Sequence, residues 1–319
     1  VPVSAWNWTE TDDLRQPTLA ERMRIARTVA ELRAALTPAR RAGGRVGLVP
    51  TMGALHGGHL SLVALARGDC DVVVTSLFVN PSQFNERADL ERYPRREQRD
   101  AALAAGAGTD ILFAPSVQEV YPPGFATSVE VAGLTDRLEG AARGAEHFRG
   151  VATVVTKLLC MTMPDVAYFG QKDAQQLVVI RRLVADLDLP VRIEAGPTVR
   201  EADGLAMSSR NALLSARERA RALALPAALD AASAQAAAGE RSAEALVEAA
   251  REAMTRFDVE PEYVALVDPD TFRVRETLAR ASLLVLAARI GEVRLIDNAL
   301  LMPAGTPSVN PELARKVVA

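Results

Sequence analysis

From about residue 46 onward, short apolar runs alternate with longer stretches of helical spacing. Val46–Val49, Val72–Val79, Ile111–Phe113, Val166–Phe169 and Val191–Ala195 are short and mostly apolar, and they read as strands. Between them, Leu60–Arg67, Arg96–Ala105, Phe148–Met161 and Ala174–Leu187 place apolar residues three or four positions apart, the period of a helix with one buried face. A further helix is expected from about Ala20 to Leu36, with Gly43-Gly44 breaking the pattern before the first strand. Strands that are apolar throughout, alternating with helices, predict an α/β fold: a parallel sheet covered on both faces.

Near Pro197 the texture changes. Ser215–Leu225, Ala227–Ala238 and Ser242–Phe257 are Ala/Arg/Glu-rich and helical in period; Tyr263–Val267, Leu283–Ala288 and Val293–Leu295 then read as strands. Helices followed by strands predict a second, smaller α+β unit. The expected division is a poorly ordered extension at 1–20, an α/β domain at 21–198, a smaller C-terminal domain at 199–302 and a tail from 303 to 319.

Composition narrows the function classes. The chain has 319 residues, enough for about two domains with their own cores. Its 37 basic and 40 acidic residues leave a net charge of -3, so no basic footprint for nucleic acid is present. The longest apolar run, Leu283–Ala288, is far short of the roughly 18 residues that suggest a membrane span. The polar, acidic start offers no secretion signal, and Cys70 and Cys160 form no CxxC; a cytoplasmic setting is expected. Histidine and lysine are scarce: His56, His59 and His147; Lys157, Lys172 and Lys316. Where arginine has taken most basic positions, a remaining lysine points to a need for a compact ammonium.

Several of these scarce residues lie where strands end. Met52-Gly53-Ala54-Leu55-His56-Gly57-Gly58-His59 follows the first strand and opens a helix. Its glycines let the backbone approach a ligand, and a helix N-terminus supplies unpaired N–H groups for phosphate. Three readings stand: a triphosphate cradle, a glycine turn with ordinary histidines, or a metal site using His56 and His59. Two of three histidines in one turn favour the first. Phe78–Asn85 leaves the second strand at its carboxyl end, where α/β sheets bind ligands. Asn80 and Gln83 there offer neutral groups for hydroxyls and a carboxylate. Glu146–Val151 carries His147 and Arg149, read as either an anion contact or a helix entry. Gly170-Gln171-Lys172-Asp173 makes another strand-to-helix turn, with Lys172 suited to phosphate, Asp173 to a cap and Gln176 one turn further in. Met207-Ser208-Ser209-Arg210 reads as a phosphate clamp or as a helix cap.

Taken together, these segments resemble the pantoate–β-alanine ligase family. The resemblance covers about Ala20 to Leu301. It rests on PTMGALHGGHLSLV from Pro50, SLFVNPSQF from Ser76, YPR from Tyr93, HFRGVATVVTKLL from His147, PDVAYFGQKDAQQLVVIRRLV from Pro164, MSSRNALLS from Met207, YVALVDPDT from Tyr263 and RLIDN from Arg294. The HxGH and MSSR elements are shared with the wider nucleotidyltransferase superfamily.

The resemblance implies a Rossmann-like N-terminal domain with a smaller C-terminal lid, ATP with Mg²⁺, the substrates pantoate and β-alanine, and a homodimer. It implies a two-step reaction through a pantoyl adenylate. Residues Met52 to His59 would hold ATP, with His59 the proton donor and His56 its phosphate-binding partner. Gly170, Gln171, Lys172, Asp173, Val199, Met207, Ser208, Ser209 and Arg210 would complete that site, Lys172 taking part in catalysis. Gln83 and Gln176 would bind pantoate, Gln83 also lying near β-alanine, with Asn80 and Tyr93 as further contacts. The lid is expected to close over ATP and bring Met207–Arg210 in.

The chain departs from the family pattern at Gly57, in the variable HxGH position. It also departs at Arg143-Gly144-Ala145-Glu146, where Arg-Pro-Gly is usual, and after YPR, where Arg96–Asp100 replaces an acidic stretch. Glu97 and Asp100 are the remaining candidates there for a metal. Two other classes compete: a nucleotidyltransferase acting on a phosphate acceptor, which calls for more cationic partners than Gln83 and Gln176, and a nucleotide-binding module without turnover.

Overall fold

The computed structural model describes residues 23–84 and 87–305. The expected extension at 1–20 and the tail beyond residue 305 lie outside the described residues. Six strands form one parallel sheet: β1 (Arg24–Ala26), β2 (Val46–Thr51), β3 (Val72–Leu77), β4 (Ile111–Phe113), β5 (Val166–Gly170) and β6 (Arg192–Gly196), in the order β1-β4-β3-β2-β5-β6. From β2 the chain builds outward through β3 to β4, then returns to add β5 and β6 on the other side. The order therefore reverses between β2 and β5, the position at which a doubly wound sheet opens a crevice for ligand.

Helices cover both faces. On one side α1 (Val29–Arg41), α7 (Ala145–Thr162) and α8 (Ala174–Asp186) bury Leu32, Leu36, Val151, Val155, Leu158, Leu177 and Ile180 against Leu48 and Phe169. On the other, α2 (Gly57–Asp69) packs Leu62, Val63 and Ala66 on Val49 and Tyr168, and α4 (Glu97–Ala107) sets Ala104 beside Leu55 and Leu112. Between these lie α3 (Arg87–Arg92), α5 (Val117–Val120) and α6 (Glu139–Arg143).

One expectation fails at the start. A strand, β1, stands where the apolar spacing predicts a helix from about Ala20. Its backbone pairs in parallel with β4 from Arg24 to Ala26. The helix begins only at Val29, because Thr28 and Glu31 form a capping box that sets its first turn. It then runs through Pro38 to Arg41.

The C-terminal part is an antiparallel sheet of β7 (Pro261–Val267), β8 (Ser282–Ile290) and β9 (Val293–Leu301), with α9 (Ala216–Arg221), α10 (Ala224–Ala237) and α11 (Ala243–Thr255). β8 and β9 extend beyond the apolar runs that predict them, since hairpin pairing reaches Ser282 and Leu301. β8 is almost wholly apolar because both its faces are covered. Leu284, Leu286 and Ala288 face α10 and α11, while Leu283 and Val285 join Ala174 and Val178 of α8. The small sheet is thus docked on the large domain through a shared apolar cluster. A buried ion pair adds to it: Arg294 of β9 grips Glu139 of α6 bidentately at 2.7 Å, with Tyr263 donating to the same carboxylate at 2.7 Å. These cationic and hydroxyl partners hold Glu139 down at about pKa 2 despite its burial. No helix among the described residues is long and apolar enough to cross a membrane.

Candidate active site

The loops of interest leave the carboxyl ends of β2, β3 and β5, next to the reversal point. After Thr51 the chain turns through Gly53 and Ala54, both at positive φ (87° and 49°). Asp100 of α4 holds this turn. Its buried carboxylate accepts from Ala54 N at 2.8 Å and Leu55 N at 2.9 Å. Gly53 suits the turn because its φ of 87° strains any residue with a Cβ. Asp100 is therefore the anchor of the glycine turn. Both of its oxygens are engaged by backbone donors of the loop. Glu97 is likewise engaged, paired with Arg27.

The turn delivers His56 and His59 to the first residues of α2. His56 is the N-cap and accepts from Gly58 N at Nδ1 (3.2 Å), while His59 Nδ1 accepts from His56 N (3.4 Å). A neutral ring that accepts at Nδ1 carries its proton on Nε2, so both histidines present an Nε2–H. The rings lie 4.1 Å apart. Burial pushes His56 down to about 4, aided by the Lys172 charge. Burial and the neighbouring His56 push His59 down to about 3. Both are neutral donors at neutral pH.

Lys172 reaches this pair from the end of β5. It sits in the tight turn Gln171–Asp173, largely buried, with its ammonium 3.6 Å from Asp173. Asp173 makes no capping hydrogen bond to α8, so the cap expected of it is absent. The third strand of the arrangement is the hairpin after β6. Met207 N bonds to Val199 O at 2.9 Å, and Met207 lies over the glycines of α2: a Cβ on Gly57 would come 2.9 Å from its sulfur. The glycine at the variable HxGH position is thus what Met207 rests on. Ser208 caps the turn that carries Ser209 and Arg210. Ser209 hydrogen-bonds the Tyr93 hydroxyl, and the Arg210 charge is felt at both Tyr93 and His147.

At the end of β3 stands Asn80. It is buried and every amide position is used. Oδ1 accepts from Ser82 and from Tyr121 OH (2.8 Å); Nδ2 donates to Gln83 Oε1 and Gly150 O, both at 3.1 Å. Asn80 holds Gln83 in place, and its side-chain amide is fully engaged within the protein. Gln83 keeps its amide nitrogen against the Met52 sulfur. Its backbone oxygen meets His147 Nδ1 at 2.8 Å; His147 is pushed down to about 4 by burial and the nearby Arg143. The side chain of Gln176, in the first turn of α8, makes no hydrogen bond among the described residues, whereas that of neighbouring Gln175 is buried and bonded to Leu134 O, Arg137 O and Glu139 N.

Sequence reasoning missed four supports: Asp100 as the loop anchor, Gly150, the Glu139–Arg294 pair, and Asp297-Asn298 of β9. Gly150 lets α7 pass directly against the Ser82–Gln83 backbone. Arg294, Asp297 and Asn298 lie within the RLIDN string, and Glu139 lies outside every quoted motif; no local pattern says what they face.

Neutral imidazole donors, a lysine and a serine–arginine strap around a helix N-terminus at the switch point define a nucleotide-binding α/β enzyme of the phosphate-activating kind. A family model for pantoate-beta-alanine ligase matches residues 24–300. A pantothenate synthetase of Cereibacter sphaeroides is 54% identical over 274 residues, covering 86% of this chain and 98% of that protein. The solved pantothenate synthetase of Thermus thermophilus is 49% identical, superposes with a TM-score of 0.84, and covers 88% of this chain and 100% of that one. A pantoate-beta-alanine ligase from Francisella tularensis, solved with beta-gamma ATP and beta-alanine, is 34% identical with a TM-score of 0.73, covering 87% and 97%. The chain belongs to the pantoate–β-alanine ligase family, and as such is an ATP-dependent ligase that forms an amide bond.

Proposed function

We propose that the site just described performs the family reaction on pantoate, β-alanine and ATP in two steps. A pantoate carboxylate oxygen attacks the α-phosphorus of ATP, and the bond to pyrophosphate breaks. The β-alanine nitrogen then attacks the acyl carbon of the adenylate; the C–N bond forms, the C–O bond to AMP breaks, and of the ammonium's three protons two go to solvent or phosphate while one stays as the amide N–H.

The convergence of His56, His59, Lys172 and Met207–Arg210 on one helix N-terminus carries this reading. In-line attack on phosphorus needs placement and charge neutralisation, not a protein nucleophile. His59 Nε2–H, His56 and Lys172 take the phosphate oxygens, with the 52–59 turn, Gly170–Asp173, Val199 and Met207–Arg210 around the nucleotide. Gln83 and Gln176 orient pantoate through neutral amides that do not repel its carboxylate, Gln83 also lying near β-alanine. A neutral imidazole donates a hydrogen bond without first having to be protonated.

Among the described residues no group of three or more His, Cys, Asp or Glu is placed to hold a metal ion. Mg²⁺ is proposed to travel with the nucleotide, held by phosphates and water. The lid is proposed to close on the nucleotide; unchanged solution scattering on adding ATP would overturn that. The working unit is proposed to be a cytoplasmic homodimer: Cys70 and Cys160 are free thiols, and a solution mass of a single chain would refute the dimer.

The first test is pantoate-dependent exchange of labelled pyrophosphate into ATP without β-alanine. Exchange, followed by AMP and pantothenate on adding the amine, is the expected result. Absence of both would move the reading to another acceptor.

A further inference from the structure

Two adjacent residues of β9 hold both halves of the nucleotide site. Asn298 is buried, and its Nδ2 donates to Gln171 O at 3.0 Å and Lys172 O at 2.9 Å. These carbonyls belong to the short turn that carries the Lys172 ammonium. Asp297, also buried, takes Arg200 bidentately at 2.6 and 3.0 Å. Arg200 opens the hairpin that ends in Met207–Arg210. It donates to Gly204 O at 3.0 Å, pairs with Ala206 across the hairpin, and reaches Asn298 O at 3.4 Å. Asp297 Oδ1 also accepts from Asn298 N at 2.8 Å, so the Asp297 carboxylate fixes the Asn298 backbone as well as Arg200.

The Lys172 turn comes from the large parallel sheet and the Met207–Arg210 strap from the segment after it. The parallel pairing of β5 with β6 sends the two segments off side by side, with Gly170 opposite Gly196. Beyond the strand ends the shared anchor on β9 holds them, through charge-assisted and backbone hydrogen bonds made in a buried place, where they are strongest.

We propose that Asp297 and Asn298 are positioning residues that set the Lys172 ammonium and the Met207–Arg210 strap at the spacing ATP requires. The small sheet then acts as the gauge of the nucleotide site as well as its cover. The inference rests on the placement of Lys172 on ATP under the proposed function, so its test carries a separate arm for that placement.

Steady-state constants are measured for wild type, Lys172→Ala, Asn298→Ala and the double variant, with ATP and pantoate varied in turn and thermal unfolding recorded for each. Losing two hydrogen bonds that orient Lys172 should raise the ATP KM about tenfold. The pantoate KM should stay within about twofold, a split that general damage to the fold would not produce. In the Lys172→Ala background, Asn298→Ala should change the ATP KM no further, because its effect passes through Lys172. Multiplying effects in the double variant, or an unchanged ATP KM in Asn298→Ala, overturns the inference. An inert Lys172→Ala instead overturns the placement of Lys172, and the inference with it. If Asn298→Ala does not fold, Asn298→Ser, which keeps one donor for two carbonyls, should give a smaller rise in the ATP KM; no rise overturns the proposal.

Discussion

Gly150→Ala is expected to separate stability from activity in this protein. A Cβ at Gly150 would lie 2.3 Å from Ser82 O, 2.6 Å from Ser82 C and 2.8 Å from Gln83 N. All three are backbone atoms, so no side chain can rotate away. Ordinary contact starts near 3.4 Å, so helix and loop must part by about 1 Å. Within a helix, alanine is otherwise favoured over glycine by about 1 kcal/mol. Overpacking of this sort costs about 1–3 kcal/mol. The net loss of stability is thus only about 0–2 kcal/mol. Activity is far more exposed, because the displaced backbone carries Gln83, whose carbonyl meets His147 and whose amide is held by Asn80. A shift of about 1 Å in a substrate-positioning group costs up to about 10²-fold in rate.

The expected result is a modest drop in unfolding free energy by urea titration, with kcat/KM for pantoate down by about 10² and the ATP KM near wild type. Gly68→Ala is the control, since a Cβ there meets nothing within 4 Å. It should be neutral or stabilise by up to about 1 kcal/mol, with unchanged kinetics. Near-normal kcat/KM for pantoate in Gly150→Ala would refute the reasoning.

Three further predictions concern the cradle. His59→Ala should fold but lose more than about 2 kcal/mol of transition-state stabilisation in pyrophosphate exchange, about 30-fold or more; near-normal exchange would remove His59 from the chemistry. Asp100→Ala leaves Ala54 N and Leu55 N without their acceptor, and should cost about 1–3 kcal/mol of stability while raising the ATP KM; an unchanged ATP KM would mean that Asp100 does not shape the cradle. His56, His59 and His147 titrate at about 4, 3 and 4 in the folded chain, below the roughly 6.5 of free imidazole. The unfolded chain therefore takes up protons first, and stability should be unaffected by these groups above about pH 6.5 but fall as the pH drops from there toward 4. His59→Gln should flatten part of that fall in chemical unfolding, and an equally steep decline would contradict the assigned neutral state.

The local pattern of this chain determined which segments became helices and strands, and where the ligand loops hang. Strand residues alternate faces and helix residues recur every three or four positions, so burial by neighbours writes itself into nearby sequence. That is why the β2, β3 and β5 ends are legible directly, whereas the paired histidines, Lys172 and the Met207–Arg210 segment carry rival readings until the family resemblance joins them. Tertiary structure decided what the polar side chains face. Asp100 meets a loop 45 positions away, and Asn298 meets carbonyls 126 and 127 positions away. Nothing near Asn80 in the chain tells that Gly150 O and Tyr121 OH will occupy its amide. β1 became a strand because β4 offered it a partner in space. Hydrogen-bond direction and close approach are properties of surfaces brought together, so only the packed molecule distinguishes a residue that holds substrate from one that holds the residue that does.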